Sequence, residues 1–272
     1  MWKFICFTVL AFFAFGTQAE TFDHDDWNRL LQRHVVSLRD DHATAMDYAG
    51  IQRERAQLKG YLERMSAVEQ EQFDRWPRRE QLAFLINAYN AWTVELVLRG
   101  YPNIESIKDL GSLFRTPWNK AFVPLFGDEL SLDDIEHKLI RGSGRYRDPR
   151  IHFAVNCASV GCPALRTEAY TGEQLEAQLE EQARLFLTDR VRNRLDGKVL
   201  KVSKIFKWYR EDFERGWRGF WSLDDFWKKY AESLDLSPED MRLLQSGVIT
   251  VEYLDYDWRL NETPAKNLAQ EH

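Results

Sequence analysis

Apolar residues recur at helical spacing through the first third of the chain. Residues 21–73 carry apolar side chains three and four positions apart, as in "DDWNRLLQRHVVSL", which is the period of an amphipathic helix. Over Leu82–Leu98 the pattern becomes apolar almost all round, as is typical of a helix that protein surrounds. Pro77 fits the first turn of this helix and Gly100 fits its end. We predict a helical N-terminal extension over 20–75, followed by a buried helix.

Segments with strand character are short and lie in the second half of the chain. The Asp196-Gly197 pair has the composition of a tight hairpin turn between two of them. The predicted fold class is therefore α+β, a mostly helical single domain over 76–262 with a small antiparallel sheet and a flexible tail over 263–272. The extended pieces that would form this sheet lie near 122–126, 151–155, 198–202 and 248–254. The segment near 151–155 could instead be a buried helical turn.

The first twenty residues differ in character from the rest. "MWKFICFTVLAFFAFGTQAE" has one positive charge at Lys3, then an apolar run and a small-residue ending, which is the layout of a secretory signal peptide. We predict cleavage after residues 1–19, a periplasmic or secreted mature protein, and no stable membrane insertion after cleavage. An uncleaved N-terminal anchor is the alternative. Cys6 leaves with the signal, so the mature chain keeps two cysteines.

Composition and charge exclude some partners. The formal net charge is −6 and no basic run is present, which argues against nucleic acid as a partner. Two cysteines and one histidine at the spacing found here do not match the usual zinc patterns. We therefore expect no metal and no cofactor, and a small molecule or a peptide as the partner.

Polar residues interrupt two apolar patterns. Asn87 and Asn90 lie three positions apart in the buried helix and so point the same way. A buried amide without a partner costs about 1–3 kcal/mol, so each should bond either to the backbone of a loop or to a polar site. Glu136 falls inside the apolar stripe of a short helix capped by Ser131, with His137 at its edge. Glu136 forms either a buried ion pair or part of a site.

The segment "RIHFAVNCASVGCPALR" holds His152, Cys157 and Cys162, each five positions from the next. Residues five apart are separated by about 140° in a helix and lie on opposite faces of a strand, so contact requires a turn. Three interpretations stay open. A local disulfide would contribute only about 2 kcal/mol because its loop is short; a thiolate activated by an imidazole would be a nucleophile; and a buried free cysteine would only pack.

Several separate motifs follow one another along this chain, from about Pro77 to Thr188 and beyond. They are "FLINAYNAW", "LSLDDIEHKLIR", "DPRIHFAVNCASVGCPALR", "KIFKWYREDF" and "YLDYDWRLN". In this order they resemble the DUF547 family, a domain of unknown function, here as an exported bacterial-type member. The resemblance implies that the cysteines, His152 and the polar residues above belong to the family's pattern, and it implies no particular activity. A relation to papain-like thiol enzymes would be an analogy of residue types only.

Our hypothesis from the sequence is a thiol-dependent acyl or peptide hydrolase or transferase. Cys157 would attack, His152 would be the base with His137 as its alternative, and the remaining polar residues would orient the site. The candidate catalytic residues are Cys157, His152, Glu136, Asn87, Asn90 and His137. The alternative is a periplasmic binding domain in which a Cys157–Cys162 disulfide is structural and the aromatic-rich loop 113–126 is the contact surface.

Overall fold

The structure is a computed structural model that describes residues 21–38, 42–112 and 115–263. It confirms the predicted fold class, a mostly helical α+β protein. The predicted signal peptide over 1–19 lies outside the described residues, as does the predicted tail from residue 264 onward. No helix within the described ranges is both long and apolar enough to span a bilayer.

Short helices and three short sheets make up the described part of the chain. The α-helices are α1 (Asp25–His34), α2 (Tyr48–Arg53), α3 (Arg55–Ser66), α4 (Gln70–Arg75), α5 (Arg78–Leu98), α6 (Leu175–Thr188), α7 (Ile205–Trp208), α8 (Arg210–Glu214), α9 (Leu223–Lys229) and α10 (Pro238–Gln245). The strands are β1 (Val35–Leu38), β2 (Ala43–Met46), β3 (Val123–Leu125), β4 (Asp128–Leu130), β5 (Arg194–Asp196), β6 (Val199–Val202) and β7 (Thr250–Tyr253).

The sheets differ in detail from the one sheet expected. Strands β1 and β2 form an antiparallel hairpin inside the segment predicted to be helical, and β3 and β4 form a second hairpin. The predicted Asp196-Gly197 turn joins β5 to β6, and Gly197 has a φ of +60° there. Strand β7 then pairs with β6 in parallel, because the chain passes through α7 to α10 before it returns.

The predicted strand near 151–155 is wrong. Residues Pro149–Phe153 form a 3₁₀ turn, in which Pro149 occupies the first position and the Asp148 carboxylate accepts a hydrogen bond from the Arg150 backbone N–H. A proline at the start and an aspartate cap favour a helical turn over an extended strand. The turn connects two hydrophobic clusters, since Ile151 packs into one and Phe153 into the other.

Helix α5 is the centre of the first hydrophobic cluster, as its all-round apolar pattern predicts. Every side chain from Gln81 to Leu98 is buried, and helices α1 to α3 of the N-terminal segment pack into the same cluster. Helices α6 to α10 surround the second cluster, whose centre holds Phe206, Phe213 and Phe226. Cys157 and Cys162 follow the 3₁₀ turn, which lies between the two clusters.

Two buried polar residues of α5 allow a matched test of how much hydrogen bonding at its polar positions contributes to the free energy of unfolding. The Asn87 amide donates to the Tyr170 carbonyl over 2.7 Å and accepts from the Tyr170 N–H over 3.0 Å. The Thr93 hydroxyl is also buried but has no hydrogen-bond partner among the described residues. We expect Asn87→Ala to lower the free energy of unfolding by about 3 kcal/mol, because two buried backbone groups lose their partner.

Thr93→Val should change the same free energy by less than about 0.5 kcal/mol or increase it, since it removes an unpaired hydroxyl at nearly constant shape. Urea unfolding of both variants measures the difference. Equal losses of stability in the two would show that the Asn87 hydrogen bonds contribute nothing specific.

Candidate active site

A cavity of about 300 Å³ lies beside the cysteine segment. One wall carries both thiols, a second carries polar side chains of the helix that follows β4, and a third is aromatic. Its lining includes Asp133, Glu136, His137, His152, Cys157, Cys162, Trp208, Tyr209, Tyr256 and Trp258. Four of the six predicted catalytic residues therefore face one space, and Asn87 and Asn90 do not line it.

The cysteine loop takes its shape from Asn156. Its carboxamide accepts a hydrogen bond from the Ala158 N–H over 2.9 Å and donates to the Pro163 carbonyl over 2.8 Å. These bonds hold Ala158 in a left-handed conformation with a φ of +60°, which an alanine adopts only under such constraint. The chain therefore turns between Cys157 and Cys162, as contact between the two residues requires.

The two cysteines are free, so the predicted disulfide is not formed in this structure. The Cys157 backbone N–H donates to the Cys162 Sγ over 3.0 Å. The Ser159 and Tyr256 hydroxyls lie 3.2–3.3 Å from both sulfur atoms. A Cβ at Gly161 would lie 2.9 Å from the Tyr256 ring, so only glycine lets this tyrosine approach the loop.

The two thiols have very different pKa values, because they interact with each other and share the Ser159 and Tyr256 hydroxyl groups. Burial raises the pKa of Cys162, but hydrogen bonds from Cys157, Ser159 and Tyr256 outweigh it and lower this pKa to about 6. The pKa of Cys157 is raised well above its usual range, because it is hydrogen-bonded to Cys162, is itself buried and lies beside the Cys162 charge. The pair thus loses its first proton near pH 6 and keeps the second.

His152 is the second chemical group of the cavity. The imidazole is fully buried, and its Nε2 lies 2.7 Å from the Asp212 Oδ2. Burial lowers the pKa of His152 more than the Asp212 carboxylate raises it, so the ring is neutral near pH 7. Its Nδ1 has no hydrogen-bond partner among the described residues. The Tyr209 ring stacks on the imidazole with 3.8 Å between centroids.

Asp212 fixes the tautomer of that imidazole. The carboxylate is completely buried and also takes ion pairs from Arg141 and Arg215, each at 2.5 Å. Burial raises the pKa of Asp212, but the hydrogen bonds from His152 and Arg141 outweigh it and lower this pKa to about 2. An ionised carboxylate only accepts, so the His152 Nε2 carries the proton and its Nδ1 is left as an acceptor. A neutral imidazole with a free Nδ1 is able to take a proton from a thiol or a water.

The short helix predicted around Glu136 is a π-helix over Asp134–Arg141. Its predicted cap is present, since the Ser131 hydroxyl accepts from the Asp134 N–H over 3.0 Å. At its end the Gly142 N–H bonds to the His137 carbonyl five residues back, which widens the turn. Glu136 is buried on the cavity side, whereas the His137 side chain is about 40 % exposed.

Asn87 and Asn90 both bond to the backbone of a loop, which is one of the two interpretations that the sequence left open; the other was a polar site. The Asn90 amide donates to the Ala154 carbonyl over 3.0 Å and accepts from the Asn156 N–H over 2.8 Å. It therefore ties the start of the cysteine loop to α5. Asn87 holds the distant loop at Tyr170 in the same manner. Among the described residues neither amide forms a hydrogen bond with the thiols or the imidazole, and each one holds loop backbone in place.

Sequence reasoning placed Cys157 and His152 in one site but missed the group that orients the imidazole. In the described residues no hydrogen bond joins His152 to either thiol, and its partner is Asp212, sixty residues later. Asp212 and Tyr209 lie in the motif "KIFKWYREDF", and Tyr256 lies in "YLDYDWRLN". Those motifs were the available signal, although nothing in their spacing showed which residues meet.

Comparison with known proteins gives a family and no activity. Residues 73–187 match the family model described as "Protein of unknown function, DUF547", which supports membership of the DUF547 family. The match includes the cysteine segment and the π-helix and ends before Asp212. No curated protein and no solved structure matches the chain. Among the described residues, no group of three or more histidine, cysteine, aspartate or glutamate side chains is arranged to hold a metal ion.

The coupled thiols predict a specific pH dependence of thiolate formation. In the unmodified protein one thiolate should appear as pH rises through about 6, and the second only well above pH 9. In Cys162→Ser the step near pH 6 should vanish, and Cys157 should ionise at a lower pH than before, because the neighbouring thiolate and its hydrogen bond are gone. The ultraviolet absorbance of the thiolate, followed against pH, measures both steps.

Cys157→Ala serves as the control for this titration. It removes the thiol that donates to Cys162, so the remaining step should shift above pH 6. Two independent thiols that both ionise at ordinary pH values in the unmodified protein would contradict the coupling.

Proposed function

We propose that the protein is a thiol-dependent enzyme that hydrolyses or transfers an acyl or peptidyl group in this cavity. The observation that carries the proposal is the His152 imidazole. It is neutral, Asp212 holds its Nε2, and its Nδ1 has no partner on the cavity that also holds Cys157. A nucleophile, a base and a group that orients the base are the components of an acyl-transfer site.

The reaction that fits these groups passes through a thioester. The Cys157 Sγ attacks the carbonyl carbon of the substrate, and its proton goes to the His152 Nδ1. The bond from carbon to the leaving nitrogen or oxygen breaks, and the leaving group takes that proton from His152. Water or another acceptor then attacks the thioester, gives a proton to Nδ1 and releases the acyl group, while Cys157 recovers its proton.

Cys157 suits the attacking role better than Cys162 does. Cys162 is only 3 % exposed, and its sulfur accepts the Cys157 N–H and lies close to two hydroxyl groups. Cys157 is half-buried and has the raised pKa, so it holds its proton near pH 7 and needs a base. A neutral His152 meets that need. The hydrogen bond between them would form with substrate present, since such bonds are often long in free enzymes.

The orienting role belongs to Asp212 in this proposal. Among the described residues, no hydrogen bond or ion pair joins the imidazole to Asn87, Asn90 or Glu136, which the sequence suggested for that role. A buried carboxylate that holds one imidazole nitrogen keeps the other available and stabilises the imidazolium that forms during reaction.

Trapping of an acyl-enzyme tests the proposal. Incubation with p-nitrophenyl acetate should acetylate Cys157, as read by intact mass and peptide mapping. Cys157→Ser should remove this adduct, and Cys162→Ser should retain it. His152→Gln should slow acetylation by about 10²–10⁴-fold, because the base is lost.

His137→Gln is the matched control for the loss of the base, since His137 lines the same cavity with an exposed ring. It should leave the rate of acetylation nearly unchanged. Circular dichroism of each variant checks that it is folded. Acetylation that persists in His152→Gln but disappears in His137→Gln would overturn the assignment of the base.

We also propose that this enzyme acts outside the cytoplasm, on the support of the signal-like sequence over 1–19. Protein recovered from the exported fraction of expressing cells should have the mass of the chain without those residues. A full-length chain retained in the cytosol would contradict export, and a full-length chain in the membrane fraction would indicate the uncleaved anchor.

A further inference from the structure

Glu136 is a buried carboxylate with one unpartnered oxygen. Its residue is 4 % exposed, and its Oε1 has no hydrogen-bond partner among the described residues. The Tyr209 hydroxyl interacts with this carboxylate, so one side of the group is satisfied and the other is not. Buried carboxylates are normally paired, because leaving one without a partner is costly. The same side chain lines the cavity, so a bound molecule can supply the missing partner.

Neither His137 nor Arg141 donates a hydrogen bond to the Glu136 Oε1. The His137 Nδ1 lies 4.0 Å from the Glu136 Oε1, but Arg141 donates to that nitrogen over 2.8 Å. A nitrogen that accepts from a guanidinium carries no proton and cannot donate to Glu136. Arg141 itself directs its Nε to Asp212. Glu136 therefore has no direct donor from either neighbour.

The cavity has an excess of negative charge. Asp133 lines it beside Glu136, and no lysine or arginine is present in the described lining. The pKa of Asp133 is raised, because burial raises it most and the Glu136 charge adds to this, while His137 lowers it in part. A cation entering this space would interact favourably with both.

Aromatic rings form another part of the cavity lining, the aromatic wall. Trp208, Tyr256 and Trp258 have ring centroids 4.6–5.8 Å apart, and all three line the cavity. The face of such a ring attracts an ammonium or guanidinium group. The chain already shows this contact, because the Lys108 Nζ lies 3.7 Å from the centroid of the Trp258 ring.

We propose that the cavity binds substrates by a positively charged group, an alkylammonium or a guanidinium, which the Glu136 carboxylate pairs with and the aromatic wall covers. This inference rests on the proposed thiol-dependent function. It adds the class of substrate that the same site takes. The acyl group to be transferred would then lie at Cys157, and its cationic end would lie at Glu136.

Charged thiol reagents test the cation preference without requiring turnover. In each, the Cys157 Sγ attacks the sulfenyl sulfur of a methanethiosulfonate and its proton passes to the His152 Nδ1, so that a mixed disulfide forms and methanesulfinate leaves. Peptide mapping identifies Cys157 as the modified residue. The cationic 2-aminoethyl reagent, the neutral methyl reagent and the anionic 2-sulfonatoethyl reagent are compared, and each rate is divided by that of the same reagent with glutathione. We expect the cationic reagent to be favoured over the neutral one by about tenfold or more, since a cavity of one charge sign concentrates its counter-ion.

Glu136→Gln should reduce the ratio of the cationic rate to the neutral rate to the glutathione value, because the charge that pairs with the cation is gone. Glu129→Gln is the matched control, because Glu129 is exposed on β4 and outside the cavity lining. It should retain the full preference. An unchanged preference in Glu136→Gln, or no preference in the unmodified protein, would overturn the proposal.

A competition experiment needs no variant and covers the case in which Glu136→Gln does not fold. Millimolar n-butylammonium should protect Cys157 of the unmodified protein from the neutral reagent, and butyramide should not. Equal protection by both, or by neither, would count against the cation site. If cation preference is found but no acyl-enzyme forms, the proposed function fails and the binding site stands. If neutral esters acylate Cys157 without any cation preference, the proposed function stands and the cation site fails.

Discussion

A single buried carboxylate, Asp212, determines how the parts of this site meet. It receives the imidazole of the 3₁₀ turn, a guanidinium of the π-helix and a second guanidinium from the end of α8. A fully buried anion is tolerated only when it is paired and hydrogen-bonded. These three elements are therefore held at fixed separations by the need to satisfy one charge. The neutrality of His152 follows from its burial, which lowers the pKa of the imidazole more than the Asp212 carboxylate raises it.

The site occupies the boundary between two hydrophobic clusters, and this location explains the mixture of residue types around it. The 3₁₀ turn contributes an apolar side chain to each cluster, so His152 between them cannot move away from the boundary. Asn90 fixes the following loop to α5 from the side of the first cluster. The thiols are thus positioned by packing on one side and by backbone hydrogen bonds on the other, which is the kind of support that keeps a reactive group in one geometry.

The sequence predicted those features of the fold that depend on residues close together in the chain. The all-round apolar run of α5, the Asp196-Gly197 hairpin and the cap at Ser131 all follow from residue types within a few positions of one another. The strand expected near 151–155 was wrong, because Pro149 and the Asp148 cap outweighed its β-branched composition. The partner of His152 was out of reach for a different reason. Asp212 follows sixty residues later, and only the packing of α8 against the turn reveals it.

The π-helix makes the winding of the chain between Asp134 and Arg141 part of the site. Its closing bond spans five residues, where an α-helix spans four. If the same residues wound as an α-helix, Glu136 and Arg141, five positions apart, would be separated by about 140° around the helix axis. They could then no longer face the cavity and Asp212 together. A change of winding that leaves all the chemical groups in place would thus separate them, so helix geometry is here as much a requirement as residue identity.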